Sequence, residues 1–408
     1  MSMLELLSPA GDMECLKTAL RFGADAVYIG GPMLQLRAGH TGFSMEALAG
    51  AARLAHAAGK RLYVTVNAFP NNREIDLLGD YAQALSAAGA DAAIVADLGA
   101  IAALRRAAPE LAIHVSTQAN CVNYAAARAY FDMGATRVVL GREMTLEEIA
   151  ELRQKTPPAL ELEAFVHGAM CMAWSGRSMI SAYLTGRSAN RGACTQSCRW
   201  RYHLMEEKRP GEYFPVEEDD TGTTILSSFD LNCIDFLDQI AAAGVTSFKI
   251  EGRMKSPCYV ATVTGAYRRR MDAMACGEEP DLVALRRELD AVSHRSYASG
   301  FYFGEMKKHA PEDGTYLQDC VFVGVVRQRL PGGRARVELR NRIRQGDVLE
   351  VLSPNAFGLS FAAANLTDAE GRPMDEAAVP MTLFDMDAPE ALDAGDLLRI
   401  RRAGTGNS

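Results

Sequence analysis

One unit repeats through the first half of this chain and limits what it can become. A short β-branched, apolar run is followed by an Ala/Leu-rich amphipathic segment, and a glycine closes the segment. Leu4–Leu7 reads as a strand, and Asp12 caps a helix that reaches Phe22 and ends at Gly23. The unit recurs as strand Ala26–Ile29 with helix Met45–Ala58, and strand Arg61–Asn67 with helix Ile75–Ala88. It recurs again as Ala92–Ala96 with Leu98–Ala108, and Ala112–Ser116 with Tyr124–Met133. Arg137–Leu140 is then followed by a helix Leu146–Lys155, for which Thr145 and Glu148 form a capping box, and Leu160–Val166 is the seventh strand.

Strands alternating with helices at this spacing predict a parallel α/β architecture. The units are short and even, and no Gly-x-Gly-x-x-Gly follows the first strand. Both features favour a TIM-like (β/α) barrel over an open sheet. Thr224–Ser227, a helix Phe236–Ala243 and a strand Ser247–Ile250 are the candidates that complete it, in a ring that can be distorted. Further on, Tyr259–Met274 and Leu282–Val292 read as helices. Past about residue 315 the texture changes to short strands, Val321–Arg327, Ala335–Leu339, Val348–Val351 and Leu397–Arg401, between Pro-Gly-Gly, Gln-Gly and Ala-Gly turns. This predicts a small antiparallel β-barrel domain over 313–408 after a barrel domain over 1–312, with the boundary near Lys308–Gly314.

The stretch Glu163–Trp200 breaks the repeat and opens an insertion of about 168–222. It is rich in Gly, Ser and Arg, and within twenty-eight positions it holds three of the nine cysteines. With Cys233 these give the spacing C-x22-C-x3-C-x34-C over Cys171, Cys194, Cys198 and Cys233. Four thiolates suit zinc or an iron–sulfur cluster, and a set of small buried thiols is the alternative. Cys15, Cys258, Cys276 and Cys320 fit the second description. An odd cysteine count in a chain with no apparent signal peptide argues against a disulfide framework and for a cytoplasmic protein. No apolar run is long enough for a membrane span. The net charge of −8 provides no global basic field, so any RNA contact must be local.

Polar residues gather where strands end: Asn67, Ser116 to Gln118 with Asn120, Arg142-Glu143, and His167-Gly168. In a parallel barrel these ends form the rim that carries active sites, although each residue alone could simply cap the next helix. After the last strand come Lys249, Glu251, Arg253 and Lys255, charges that can clamp carboxylates or phosphates or be solvated. Arg177, Arg187, Arg191, Arg199 and Arg201 accompany Trp174 and Trp200 in the insertion, a combination that suits single-stranded RNA as well as a solvated surface. His167 can be a general base or a core hydrogen-bonding group, and no Ser/His/Asp or Cys/His arrangement can be placed.

Glu163-Ala-Phe-Val-His-Gly-Ala-Met-Cys171, with Ser175-Gly-Arg177 and Ser181, resembles the signature of the collagenase-like peptidase family U-32. Ser8-Pro-Ala-Gly-Asp12, Tyr63-Val-Thr-Val-Asn67, Ser116-Thr-Gln118, Lys249-Ile-Glu-Gly-Arg-Met-Lys255 and Arg295-Ser-Tyr297 follow in the family's order, so the resemblance covers nearly the whole chain. Cys194-Thr-Gln-Ser-Cys-Arg-Trp200 looks most like the family's tRNA hydroxylation branch. The resemblance implies a four-iron (4Fe-4S) cluster on Cys171, Cys194 and Cys233. It also implies hydroxylation of the wobble uridine of tRNA at carbon 5, with prephenate as co-substrate and without molecular oxygen. The family usually has Gly-Arg-Cys where this chain has Gly176-Arg177-Ser178, so Cys198 is the candidate fourth ligand. The candidate catalytic set is Glu163, His167, Arg177, Lys249, Glu251 and Arg253. Asn67, Gln118, Arg142, Arg191, Arg199, Trp200 and Lys255 are the candidates for substrate or RNA. A peptidase, and a non-catalytic RNA-binding factor stabilised by zinc, are the rival expectations.

Overall fold

The computed structural model describes residues 4–36, 42–170, 229–304 and 316–402, together with scattered positions and short strands between 185 and 225. The repeat folds as strand β1 (Glu5–Pro9), helix α1 (Met13–Arg21), β2 (Ala26–Gly30), α2 (Met45–Ala57), β3 (Arg61–Val66), α3 (Asn72–Ala87) and β4 (Ala92–Val95). It continues with α4 (Leu98–Ala107), β5 (Ala112–Val115), α5 (Tyr124–Asp132), β6 (Arg137–Val139), α6 (Leu146–Gln154) and β7 (Glu161–Ala169). After the insertion come β8 (Asp230–Asn232), α7 (Leu237–Ala242) and β9 (Ser247–Ile250). Strands β1 to β7 pair in parallel in chain order, and β9 pairs in parallel with both β7 and β1. Eight parallel strands thus close a TIM-like barrel.

Local signals account for the elements. The strands are buried on both faces, because helices cover the outside and side chains fill the inside. Helix α2 buries Leu48, Ala51, Ala52 and Ala55 along one stripe. Each fully buried leucine of this kind contributes roughly 1.5–3 kcal/mol. The Thr145–Glu148 capping box forms as expected. Helix α3 begins three residues before Ile75, because Asn71 and Glu74 make a second capping box. Gly59 shows why glycine closes the units: a β-carbon there would meet nothing within 4 Å, but φ is +69°.

The sequence offers one strand too many. Gly222–Ile225, which overlaps the expected strand at Thr224, pairs antiparallel with Val216–Asp219 and lies outside the ring, while β9 takes the eighth place. Strand β8 also lies outside it, antiparallel to β7, and pairs with β10 (Tyr297–Ala298).

The C-terminal segment forms a curled six-stranded antiparallel sheet in the order 360–362, 348–352, 397–401, 320–330, 334–339, 383–387. Its core holds Val323, Val326, Val337, Leu339, Leu349, Phe384 and Leu398. The strands Ser360–Ala362 and Leu383–Asp387 were not among those read from the sequence. By contacts the chain divides into two compact units, and the division differs from a single cut at 313. Helices α8 (Pro257–Cys276) and α9 (Leu282–Leu289) fall with the C-terminal sheet, and Arg399 bonds Glu288 of α9 at 2.6 Å.

Candidate functional site in the barrel

The barrel interior has an apolar side and a charged side. Leu7, Ala26, Tyr28, Tyr63, Ala92 and Ile94 form the apolar cluster. On the other side Arg137 of β6 reaches Glu5 of β1 at 2.5 Å, Glu163 of β7 at 3.0 Å and Ser247 of β9 at 3.1 Å. Lys249 donates to Glu163 at 2.7 Å, and the Tyr63 hydroxyl donates to Glu5 at 2.6 Å. Bonds between strands that are not neighbours can only run through the lumen, so these side chains point inward. The network opens to solvent at the N-terminal end through Glu5 and the exposed Arg61, which lie 3.7 Å apart.

Burial alone would raise the Glu163 carboxyl, but Lys249 and Arg137 outweigh it and hold the group below its ordinary value of 4.5. Burial also works against the Arg137 cation, and Glu163 and Glu5 outweigh that in turn. Beside them His114 packs edge-on to the Tyr63 ring at 4.6 Å. Burial, reinforced by Arg137, Lys249 and Arg61, pushes its imidazole well below 6.5 and keeps it neutral.

Lys249 therefore sits elsewhere than expected. The sequence groups it with the rim charges, but it lies inside the last strand, bound to Glu163, with its ammonium 4.7 Å from the Tyr28 ring. His167 is displaced too. Between Lys249 and Ile250 the β7–β9 register slips, so Lys249 pairs with Phe165 and Ile250 with His167. This bulge takes His167 out of the inward row of Glu163 and Phe165 and sets it against Tyr297, 5.4 Å between ring centres. Burial pushes the His167 imidazole down to about 3 despite the opposing pull of Asp230. Asp230 itself is held by Arg295 through the backbone amide, Nε and Nη2.

The C-terminal strand ends form the mouth. Arg142 stacks on the Phe165 ring at 3.8 Å, donates to the Ala169 carbonyl at 2.7 Å and pairs with Glu251 at 3.2 Å. Arg253 donates from Nη1 to Thr65 Oγ1 at 2.6 Å. The Asn67 amide nitrogen lies 3.5 Å from Ser116 Oγ, and the Ser116 hydroxyl caps the short turn that carries Gln118. Lys255 approaches the exposed Tyr316 ring at 5.5 Å. Three buried polar atoms here have no hydrogen-bond partner among the described residues: Asn67 Oδ1, Asn120 Oδ1 and Arg142 Nε. The structure thus brings Asn67, Gln118, Arg142, Glu251, Arg253 and Lys255 to one end of the barrel. Glu5, Arg137, Ser247 and Thr65 take part without having been candidates from the sequence. Inward strand positions bearing charge were the available signal for Glu5 and Arg137.

Cys171, Arg177, Arg191, Cys194, Cys198, Arg199 and Trp200 lie outside the described residues. Cys233 is described. It follows β8, its amide donates to the Val166 carbonyl at 3.0 Å, and it is fully buried. Burial pushes its thiol well above 9.0, so the group is a poor free thiolate. Such a thiol suits both readings given for it: a small buried side chain, or a cluster ligand once a metal ion supplies the positive charge that stabilises the deprotonated sulfur. Among the described residues no three His, Cys, Asp or Glu side chains are grouped to hold a metal ion, and no helix is long and apolar enough to cross a membrane.

Two family models match the chain: one described as peptidase family U32 over residues 11–312, and one as its C-terminal domain over 318–399. The tRNA hydroxylation protein P of Escherichia coli is 35% identical over an alignment of 443 residues, 97% of this chain and 96% of that protein. A tRNA hydroxylation protein of Bacillus subtilis is 35% identical over 401 residues, 97% of this chain and 94% of that protein. A 23S rRNA 5-hydroxycytidine synthase of Escherichia coli is 38% identical over 271 residues, 66% of this chain and 40% of that protein.

Proposed function

The chain belongs to peptidase family U32, and from that premise we propose that it is an RNA-modifying enzyme that hydroxylates a pyrimidine. The observation that carries this reading is the nearly end-to-end similarity to proteins named for tRNA hydroxylation. A third relative named for making 5-hydroxycytidine in rRNA supports the same chemistry on a second RNA. The finer reading is hydroxylation of the tRNA wobble uridine at carbon 5, independent of molecular oxygen, with prephenate as co-substrate.

In this reading Cys171, Cys194, Cys198 and Cys233 hold a 4Fe-4S cluster, with Cys198 replacing the thiol missing at Ser178. When bound, the cluster supplies the redox chemistry. The chain's own residues bind and orient. Arg253, fixed on Thr65, takes a carboxylate of the small acid. Arg142, fixed on Phe165 and Glu251, presents a second cation on the same rim. Glu163 and Lys249 neutralise each other inside the barrel and keep its interior rigid beneath the site.

The peptidase reading that the family's description carries needs an activated nucleophile. The described buried thiols point the other way: burial pushes Cys15 up to about 12, Cys121 and Cys320 to about 11, Cys258 to about 12, and Cys233 well above 9.0. Nucleoside mass spectrometry of tRNA from cells with and without this chain tests the proposal. Loss of 5-hydroxyuridine derivatives on deletion, restored by the intact gene, is the expected result. An unchanged nucleoside profile would overturn it. Iron and sulfide analysis of anaerobically purified protein separates a cluster from zinc.

A further inference from the structure

Arg295-Ser-Tyr297 meets the barrel at β8, the three-residue strand that returns from the insertion and leads to Cys233. Asp230 lies opposite Ala169 of β7 and Tyr297 of β10, and Asn232 lies opposite His167. Strand alternation therefore puts Asp230, Asn232, His167 and Tyr297 on one face, and Leu231 and Cys233 on the other. The contacts agree. On the first face Arg295 donates to Asp230 from its backbone amide at 3.1 Å, from Nε at 3.1 Å and from Nη2 at 2.8 Å. The His294 and Tyr297 rings, which flank Arg295 in sequence, stack with centres 4.0 Å apart, and His167 lies 5.4 Å from the Tyr297 centre. On the second face Leu231 packs against Gly300, where φ is +60° and a β-carbon would fall 3.1 Å from Leu231 Cδ1. The Cys233 side chain is fully enclosed.

Backbone pairing alone fixes β8 poorly. The strand is short, pairs antiparallel on one side and parallel on the other, and follows a long insertion. A slip by one residue would exchange its two faces and turn Cys233 to the side of His167 and Tyr297. The ion pair opposes that slip. In either direction Phe229 or Leu231 would take the place of Asp230, and the enclosed Arg295 guanidinium would lose its carboxylate. A buried ion pair adds little net stability over an apolar pair of similar volume, because both charges give up their hydration. Its distinctive contribution is to register, which only the correct partner satisfies.

We propose that Asp230 and Arg295 are a positioning pair, whose bridge sets the register of β8 and so the face on which Cys233 presents its sulfur. This rests on the reading of Cys233 as a cluster ligand, and goes beyond it by assigning what aims that ligand. A metal ligand tolerates little displacement, since its sulfur must meet the metal at a fixed distance and direction. Residues that orient a ligand from behind are accordingly worth about 10–100-fold in metal affinity.

The double variant Asp230→Leu/Arg295→Met removes both charges together and keeps apolar volume, so it separates register from stability. Its melting midpoint should stay near that of the wild type. In the iron-free, reduced full chain, N-ethylmaleimide should alkylate Cys233 about tenfold faster than in the wild type, read by peptide mass spectrometry. The buried Cys15, Cys121 and Cys258 are the internal controls and should keep their rates. After anaerobic reconstitution the variant should hold less than about half of the wild-type iron per chain. Arg295→Lys, which keeps the charge but not the two-nitrogen grip, should fall between the two. Wild-type labelling of Cys233 in the double variant, or iron at the wild-type level, overturns the positioning role. Should the double variant fail to fold while Arg295→Lys labels and binds iron as the wild type does, the pair is structural alone and the proposal falls. If the wild type itself takes up no iron, the cluster reading falls, and the labelling rates alone decide the register.

Discussion

The two ends of the barrel differ in how far their buried polar groups are matched. Toward the N-terminal end each buried charge meets an opposite one, Arg137 with Glu5 and Glu163, and Lys249 with Glu163, and His114 Nδ1 beside them is the one buried side-chain atom there without a hydrogen-bond partner among the described residues. At the C-terminal mouth, Asn67 Oδ1, Asn120 Oδ1 and Arg142 Nε are buried and unmatched among the described residues. A satisfied network fixes one structure, and an unsatisfied set favours a complex that completes it. The same barrel therefore has a structural end and a binding end. Mutations should separate the two, with large stability losses and secondary functional effects at the first, and the reverse at the second.

The largest effect is expected at Glu163. Glu163→Ala leaves the Arg137 and Lys249 cations buried without their shared carboxylate, which should cost about 3–5 kcal/mol. Urea unfolding of the purified variant reads this directly. A loss under 1 kcal/mol would show that water already screens the network and would erase the contrast between the ends.

The pH dependence comes next. His167 titrates at about 3 in the folded chain and His114 is held well below 6.5, so both are neutral when folded and take up a proton on unfolding below that pH. The unfolded state then binds more protons, and stability falls as pH drops from 6.5 toward the folded values, by about 1.4 kcal/mol per pH unit for each fully titrating histidine. The depressed Glu163 acts in the same direction at lower pH: its contribution is present above 4.5 and lost as pH falls through its folded value. Replacing His167 by Gln should flatten the slope of unfolding free energy between pH 6 and 5, and an unaltered slope would remove His167 from the account.

Much of this contrast was hidden in the sequence for a physical reason. Strand and helix periods are local, so the repeat, the glycine-closed helices and the Thr145–Glu148 box were legible, and they were sufficient for the barrel. The network is not local. Arg137 and Glu5 are 132 positions apart, and Ser247 and Glu5 are 242 apart, so neither partner marks the other. Lys249 looked like a rim cation because it opens a run of charges, although strand alternation turns it inward to Glu163. His167 could be read from the sequence as a general base or as a core hydrogen-bonding group, and the bulge between Lys249 and Ile250, which no local pattern marks, sets it against Tyr297. Asn67, Arg142 and Arg253 were legible because the strand ends of a parallel barrel share one rim.

At the mouth itself, Arg253→Lys keeps the charge but not the planar fork, and the lysine ammonium cannot reproduce the geometry held between Thr65 and Gly30. Formation of 5-hydroxyuridine in complemented deletion cells should fall at least tenfold, while the urea midpoint shifts less than in Glu163→Ala. Full complementation would remove Arg253 from substrate binding.

The smallest stability effect, and the most diagnostic for the comparison, is expected at Asn67. Its Oδ1 is buried without a partner, and its nitrogen reaches Ser116 Oγ only at 3.5 Å, the outer edge of hydrogen bonding. Asn67→Ala therefore removes a desolvated acceptor and almost no compensating bond. The chain should keep its stability within about 0.5 kcal/mol or gain up to about 1 kcal/mol. An ordinary structural asparagine would lose stability on the same change. Urea unfolding measured with and without saturating prephenate separates the cases. A ligand-facing Asn67 makes the variant equal or better when empty and worse when loaded, because the loaded wild type has gained a bond that the variant cannot make. Equal losses in both states would place Asn67 with the satisfied residues of the opposite end.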